Sequence, residues 1–195
     1  MNLVETSLKS IIDSYGPERT EAVLSGFVCD NEEVQDFIKK RAINHENRRL
    51  ARTMLVFDRN ADMKLVGFYS ITIKSLILKE KLSTSKKVIY FGTAQTNGNV
   101  IPAILIGQLG KNDAVKSKFT GSDLMNLIFE YIYEIDKLVP SVVAYVEHDG
   151  RESLVDYYEK NDFMYFKRES EENEKELYCH IISTQKIVDM VNMSN

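Results

Sequence analysis

Between residues 101 and 146 the chain encodes a strand, a long helix and a second strand, and this succession limits the folds open to it. Ile101-Pro102-Ala103-Ile104-Leu105-Ile106-Gly107-Gln108-Leu109 is a nearly unbroken apolar run of the kind found in buried strands. Thr120 and Asp123 have the spacing of a capping box, and Leu124, Leu127, Ile128, Tyr131, Ile132, Ile135 and Leu138 recur at helical intervals until Pro140. Val142-Val143-Ala144-Tyr145-Val146 is a second short buried run. A helix of that length between two strands implies a parallel pair joined by a right-handed crossover. All-helical and purely antiparallel folds are thereby excluded, and a mixed α/β layer is expected.

The flanking elements complete the order. Leu3, Val4, Leu8, Ile11 and Ile12 predict a helix over 3–15, stopped by Gly16, and Pro17 opens a short helix through Leu24. Asp30 and Glu33 have capping-box spacing before Val34, Phe37 and Ile38. Thr53–Phe57 and Lys64–Ile73 read as an antiparallel hairpin around the turn Asp58–Asp62. Residues 79–100 look like a divergent connection, with a short strand at Val88–Phe91. Asp149 and Glu152 are expected to cap a helix carrying Leu154, Val155 and Tyr158 inward. Phe163–Phe166 and Leu177–Ile182 read as strands around a charged turn at Glu169–Glu176. The expectation is one domain over residues 1–195, with 1–26 a helical extension.

Charge and cysteine content narrow the function. Lys and Arg number 25 against 29 Asp and Glu, a net charge of -4, so the chain as a whole is not a generic nucleic-acid binder. Only a local basic face, such as Lys39–Arg52, could meet phosphates. Cys29 and Cys179 make neither a disulfide framework nor a paired metal-ligand spacing. No apolar run reaches membrane-spanning length, and the N-terminus has no secretory pattern. A soluble cytoplasmic protein with no metal and no membrane association is expected. His45 and His180 have no partners at ligand spacing and read as surface and strand residues, while Glu147 and His148 read as a surface turn or as neighbours of a reacting amine.

Four stretches in order resemble the GNAT superfamily of acyl-CoA-dependent N-acyltransferases, and more narrowly its branch of tRNA-acetylating toxins. They are Phe27–Ile38, the hairpin with Arg52-Thr53 and Val66-Gly67-Phe68-Tyr69, the strand Ile101–Leu109, and Asp156-Tyr157-Tyr158-Glu159-Lys160-Asn161-Asp162-Phe163, which is similar to the family's "FYeklGF". The resemblance covers roughly Phe27 to Ile182. It implies a GNAT-like mixed α/β fold with a mostly antiparallel central sheet flanked by helices.

The resemblance also implies a chemistry. Acetyl-CoA, as co-substrate, would lie beside the strand ending at Leu109, with its pyrophosphate at the start of the next helix, where N–H groups favour anions. The residues implied are Leu109, Gly110, Lys111, Lys116, Ser117, Lys118, Phe119, Thr120, Gly121 and Ser122. The family's loop is glycine-rich, and here only Gly121 is kept. Phe119 would be costly if its backbone had to adopt positive φ, and Lys116, Lys118 and the Thr120 hydroxyl are the compensating groups. Tyr158 matches the family's general acid, which protonates the departing thiolate as a primary amine attacks; the plain alternative is a core tyrosine. Asp162 replaces a glycine at a tight turn and tolerates left-handed backbone.

Three readings stand. The first is an acetyltransferase acting on the primary amine of an unidentified acceptor. The second is a GNAT-like binding or regulatory module that has lost catalysis. The third is a toxin-like enzyme modifying aminoacyl-tRNA and restrained by a partner protein. A homodimer is open, as is contact with a partner protein or tRNA through Lys39–Arg52.

Overall fold

Ser7 sets the first boundary. Its hydroxyl accepts from the Ser10 N–H at 3.1 Å, which ends strand β1 (Leu3–Ser7) and caps helix α1 (Leu8–Tyr15). The helix expected over 3–15 therefore covers only its second half: Leu3 and Val4 fit helical spacing, but a partner strand far along the chain claims them. The computed structural model describes residues 1–78, 81–93, 96, 98–166 and 177–194. Gly16, at φ +79°, closes α1, and Pro17 opens α2 (Pro17–Ser25) as expected.

Asn31, rather than Asp30, caps α3 (Glu32–Asp36): its Oδ1 accepts from the N–H groups of Glu33 and Val34. A π-helical turn (Phe37–Arg41) follows, then α4 (Ala42–Asn47). β2 (Arg52–Asp58) and β3 (Lys64–Ile77) form the expected antiparallel hairpin, with a bulge between Val56 and Phe57. β1 pairs antiparallel with β2, from Leu3 opposite Asp58 to Ser7 opposite Met54.

Val88–Phe91, expected as a strand, is the end of a helix, α5 (Thr84–Phe91). Capping decides it: the Ser83 hydroxyl accepts from Lys86 N–H, and Gly92 stops the helix at φ +69°. Two β-branched residues do not outweigh a complete set of end signals.

β4 (Val100–Lys111) and α6 (Gly121–Asp136) follow, and α6 ends before the expected Leu138, which is 84% exposed. Next come β5 (Val143–His148) and α7 (Glu152–Lys160). The capping box expected at Asp149 and Glu152 does not form: Asp149 instead accepts from the backbone and side chain of Arg151, which occupies the cap position. β6 (Met164–Phe166), β7 (Tyr178–Ser183) and a further helix, α8 (Thr184–Ser194), complete the described chain. The charged turn expected at Glu169–Glu176 lies outside the described residues, as do residues 79, 80, 94, 95 and 97 of the 79–100 connection.

The strands form one seven-stranded, mostly antiparallel sheet in the order β1-β2-β3-β4-β5-β7-β6. β4 and β5 are parallel, as the strand–helix–strand pattern requires, with Ala103–Leu105 opposite Val143–Tyr145. The chain divides into two compact units, Met1–Thr72 with Ile106–Met125, and Ile73–Leu105 with Asn126–Asn195. The first has a core of Leu8, Leu24, Phe27, Phe37, Ile38, Leu55 and Phe68, with the Phe27 and Phe68 rings edge to face at 5.1 Å. The second is built on Leu76, Phe91, Ile101, Val143, Phe166 and Ile181. No described helix is long and apolar enough to cross a membrane.

Gly67 in β3 shows how tightly the first unit is packed. A Cβ there would lie 2.6 Å from Cε1 of the Phe119 ring and 3.2 Å from the Gly110 carbonyl oxygen. Gly67→Ala is expected to lower stability by about 1–3 kcal/mol through overpacking. Urea unfolding checks this, and an unchanged midpoint would contradict it.

Candidate active site

In the first unit, Asn112 sets the path of the chain leaving β4. It is 4% exposed, and its side-chain amide bonds inward to three backbone groups. Its Nδ2 donates to the Leu65 carbonyl at 2.8 Å, and its Oδ1 accepts from Val28 N–H at 3.0 Å and Ala114 N–H at 3.1 Å. Its own N–H donates to the Val66 carbonyl, and Asp113 N–H donates to the Val28 carbonyl. One amide thus ties the end of β4 to the start of β3, to residues following Phe27 and to the loop itself. Gly110 allows this approach: a Cβ there would lie 2.8 Å from Val34 Cγ1 and 3.3 Å from Phe27 Cζ.

The loop after Asn112 divides its residues between core and solvent. The Ser117 hydroxyl donates to Asp58 Oδ2 at 2.8 Å and accepts from Phe119 N–H at 3.2 Å. That hydroxyl, with the Asn60 N–H, holds the buried Asp58 carboxyl below its ordinary value. Phe119 is buried against Gly67, while Lys116 and Lys118 are exposed and make no ion pair among the described residues. Neither Ser117 nor Phe119 has positive φ, so the loop is built without left-handed backbone at either position. The cost anticipated for Phe119 does not arise.

Thr120 and Asp123 form the expected capping box at the start of α6. Asp123 N–H donates to Thr120 Oγ1 at 3.2 Å, and Asp123 Oδ2 accepts from Thr120 N–H at 2.8 Å. The Thr120 hydroxyl also donates to Asp123 Oδ2 at 2.6 Å, so it is already engaged. Gly121 and Ser122 are the first two residues of α6, and Leu109, Gly110 and Lys111 end β4. Lys111 lies 3.5 Å from the Asp113 carboxylate.

The basic stretch is partly neutralised within the same unit. Arg52 pairs with the buried Glu46 at 3.1 Å, and Glu46 also accepts from Thr53 N–H. Lys40 pairs with Asp36, and Arg41 donates to the Glu33 carbonyl and lies over the Phe37 ring. Lys39, Arg48 and Arg49 remain without ion pairs among the described residues.

The second unit holds Tyr158 in an aromatic and imidazole cluster. Tyr158 is 5% exposed and packs against His148 at 5.1 Å, Tyr157 at 5.2 Å, Phe163 at 5.7 Å and His180 at 6.1 Å between ring centres. Burial first, then the neighbouring Tyr157 and Asp149, push its phenol well above the ordinary tyrosine value, so it keeps its proton. The turn after α7 is closed by Asp162 at φ +66°, the left-handed conformation expected of the residue in place of glycine.

His148 departs from expectation: it ends β5 rather than lying in a surface turn, and it is 7% exposed. His180 is a strand residue, as expected, but it is fully buried in β7, and His148 Nε2 meets its Nδ1 at 3.0 Å. Burial holds both imidazoles below their ordinary value. His180 lowers His148 further while Asp149 opposes the shift, and Glu159 opposes it at His180. The available signal was the two-residue spacing of Tyr178 and His180, which places both on one face of β7. His148 meets that face only because β5 pairs with β7, and His180 is 32 residues further along the chain. Asn112 left no signal of its own beyond its place at the end of a strand.

No protein-family model and no curated protein sequence matches the chain. Solved structures do match. A bacterial toxin is 16% identical with a TM-score of 0.72, covering 97% of this chain and 95% of its own. AtaT complexed with acetyl-methionyl-tRNA is 14% identical with a TM-score of 0.72, covering 97% and 99%. A tyrosine-to-phenylalanine mutant of KacT is 16% identical with a TM-score of 0.68, also covering 97% and 99%. The chain has the GNAT-like fold of these toxins.

The histidine pair makes stability depend on pH with a definite sign. Each imidazole is lowered on folding, so its contribution is fully present above the unfolded value of about 6.5 and is lost as pH falls through the folded value. The urea midpoint is expected to be lower at about pH 5 than at about pH 7.5, and His180→Asn to narrow that difference. Equal midpoints in the native protein would show that the pair is not held neutral.

Proposed function

We propose that the chain is an acetyl-CoA-dependent N-acetyltransferase that moves the acetyl group to a primary amine. The observation that carries this is the pairing of a GNAT-like fold with a buried, protonated tyrosine at the family's general-acid position. Among the neighbours, AtaTR was solved with acetyl-CoA. In this chain the edge of β4 beyond Leu105 would take the pantetheine, and the start of α6, with Lys116, Lys118, Gly121 and Ser122, would take the phosphates. The inward turn of Phe119 and the outward turn of both lysines support that arrangement and weigh against a catalytically degenerate module.

The step needs no covalent enzyme intermediate. The amine lone pair attacks the thioester carbon, and backbone N–H groups stabilise the developing oxyanion. The carbon–sulfur bond then breaks, Tyr158 gives its proton to the thiolate, and the former amine loses a proton to water. Burial raises the tyrosine, so its proton is in place when the thiolate leaves.

The acceptor class favoured is the amino group of an aminoacyl-tRNA, because a neighbour of the same fold was solved with acetyl-methionyl-tRNA. The unpaired Lys39, Arg48 and Arg49 would be the phosphate contacts on this chain. A restraining partner protein is proposed on the same footing, since AtaT was solved bound to the C-terminus of its antitoxin.

Calorimetric titration with acetyl-CoA is expected to show saturable binding that Lys116→Glu/Lys118→Glu loses. Tyr158→Phe should bind acetyl-CoA normally yet transfer acetyl to aminoacyl-tRNA about 10²–10⁴-fold more slowly. Absence of acetyl-CoA binding at concentrations of about 1 mM would overturn the proposal.

A further inference from the structure

The hydrogen bonds around His148 and His180 have only one consistent direction. Gly150 N–H donates to His148 Nδ1 at 3.1 Å, so in a neutral ring His148 carries its hydrogen on Nε2. That hydrogen must then be donated to His180 Nδ1, which places the His180 hydrogen on its own Nε2. His180 Nε2 is fully buried and has no acceptor among the described residues. The chain of donors is anchored at its start, because Gly150, at φ +77°, lies so close to the Tyr178 ring that a Cβ would come within 2.3 Å of it. Both imidazoles are tilted against the Tyr158 ring, by 37° and 32°.

We propose that His148 and His180 are positioning residues for Tyr158: the neutral, one-way imidazole pair holds the tyrosine ring in its working orientation and lets it go when the pair takes up a proton. This rests on the acetyltransferase reading for its catalytic meaning, but not for the clamp itself. A proton added to His148 Nδ1 would face the Gly150 N–H. One added to His180 Nδ1 would face the His148 Nε2 hydrogen. Either event replaces a hydrogen bond with two opposed donors in a buried site.

The surroundings offer limited relief to such a charge. Asp149 is already paired with Arg151 at 2.9 Å, and the two lie together beside His148. Glu159 on α7 is the carboxylate that acts on His180. The other titratable groups facing the pair are the phenols of Tyr158 on α7, Tyr165 on β6 and Tyr178 on β7, while Tyr157 lies against Tyr158.

Two measurements on the full chain test the clamp. In the first, nitrogen NMR is expected to find both imidazoles as neutral Nε2–H tautomers at about pH 7.5. On acidification the Tyr158 ring signals should move with the histidine titration. In His180→Asn, which keeps an acceptor near the position of Nδ1 and cannot titrate, that response should shrink. In the second, His180→Phe should lower kcat for acetyl transfer to aminoacyl-tRNA by about tenfold to a hundredfold, with KM for acetyl-CoA unchanged. His180→Asn should recover most of that loss.

Tyr158 signals that ignore the histidine titration would overturn the proposal. So would a folded His180→Phe with native kcat, or one altered in KM alone. If the native protein transfers no acetyl group, the acetyltransferase reading fails by itself, and the NMR response still decides whether the pair clamps the tyrosine.

Discussion

The first unit depends on the burial of one primary amide. Asn112 sits where a strand must stop and a loop must begin, and such a place leaves backbone groups without ladder partners. Its side chain takes up those groups from three directions at once, and water cannot replace it at 4% exposure. With that point fixed, the next residues have little freedom. Ser117 reaches Asp58, Phe119 enters the core under Gly67, and the lysines on either side of Ser117 are left in solvent. The loop is shaped by side-chain hydrogen bonds and a buried ring rather than by glycine.

The second unit solves a different problem, that of keeping polar rings dry. Tyr158, His148 and His180 are all buried, and burial disfavours every charged form they have. Protonated phenol and neutral imidazole are therefore the states the site selects. That is the state the proposed proton donor needs at rest. It also explains why the imidazoles bond to each other rather than to a carboxylate, which would draw a proton onto them.

Local signals made part of this legible in the sequence. The stripe and capping box of α6, the β2–β3 hairpin, the parallel β4–β5 pair and the Asp162 turn all follow from residues close together in the chain. Tyr158 was legible as a candidate acid only through resemblance, since its spacing alone reads as core. The larger features that escaped share one physical trait: distance along the sequence. Leu3 and Val4 satisfy a helical pattern, but β2 decides their conformation. His148 and His180 meet only once β5 and β7 pair. Local misreadings also occur: strand propensity at Val88 and Ile89 yields to a serine cap and a terminal glycine, and the caps expected at Asp30 and Asp149 fall to Asn31 and Arg151.

The edge strand β1 has a consequence for the order in which the chain assembles. Its five residues are made before their partners in β2, which follow about 50 residues later. Helices α1 and α2 can form meanwhile from local contacts, and the β2–β3 hairpin closes across a short turn soon after it is made. The sheet on this side therefore grows outward from the hairpin, and β1, though synthesised before it, joins after it.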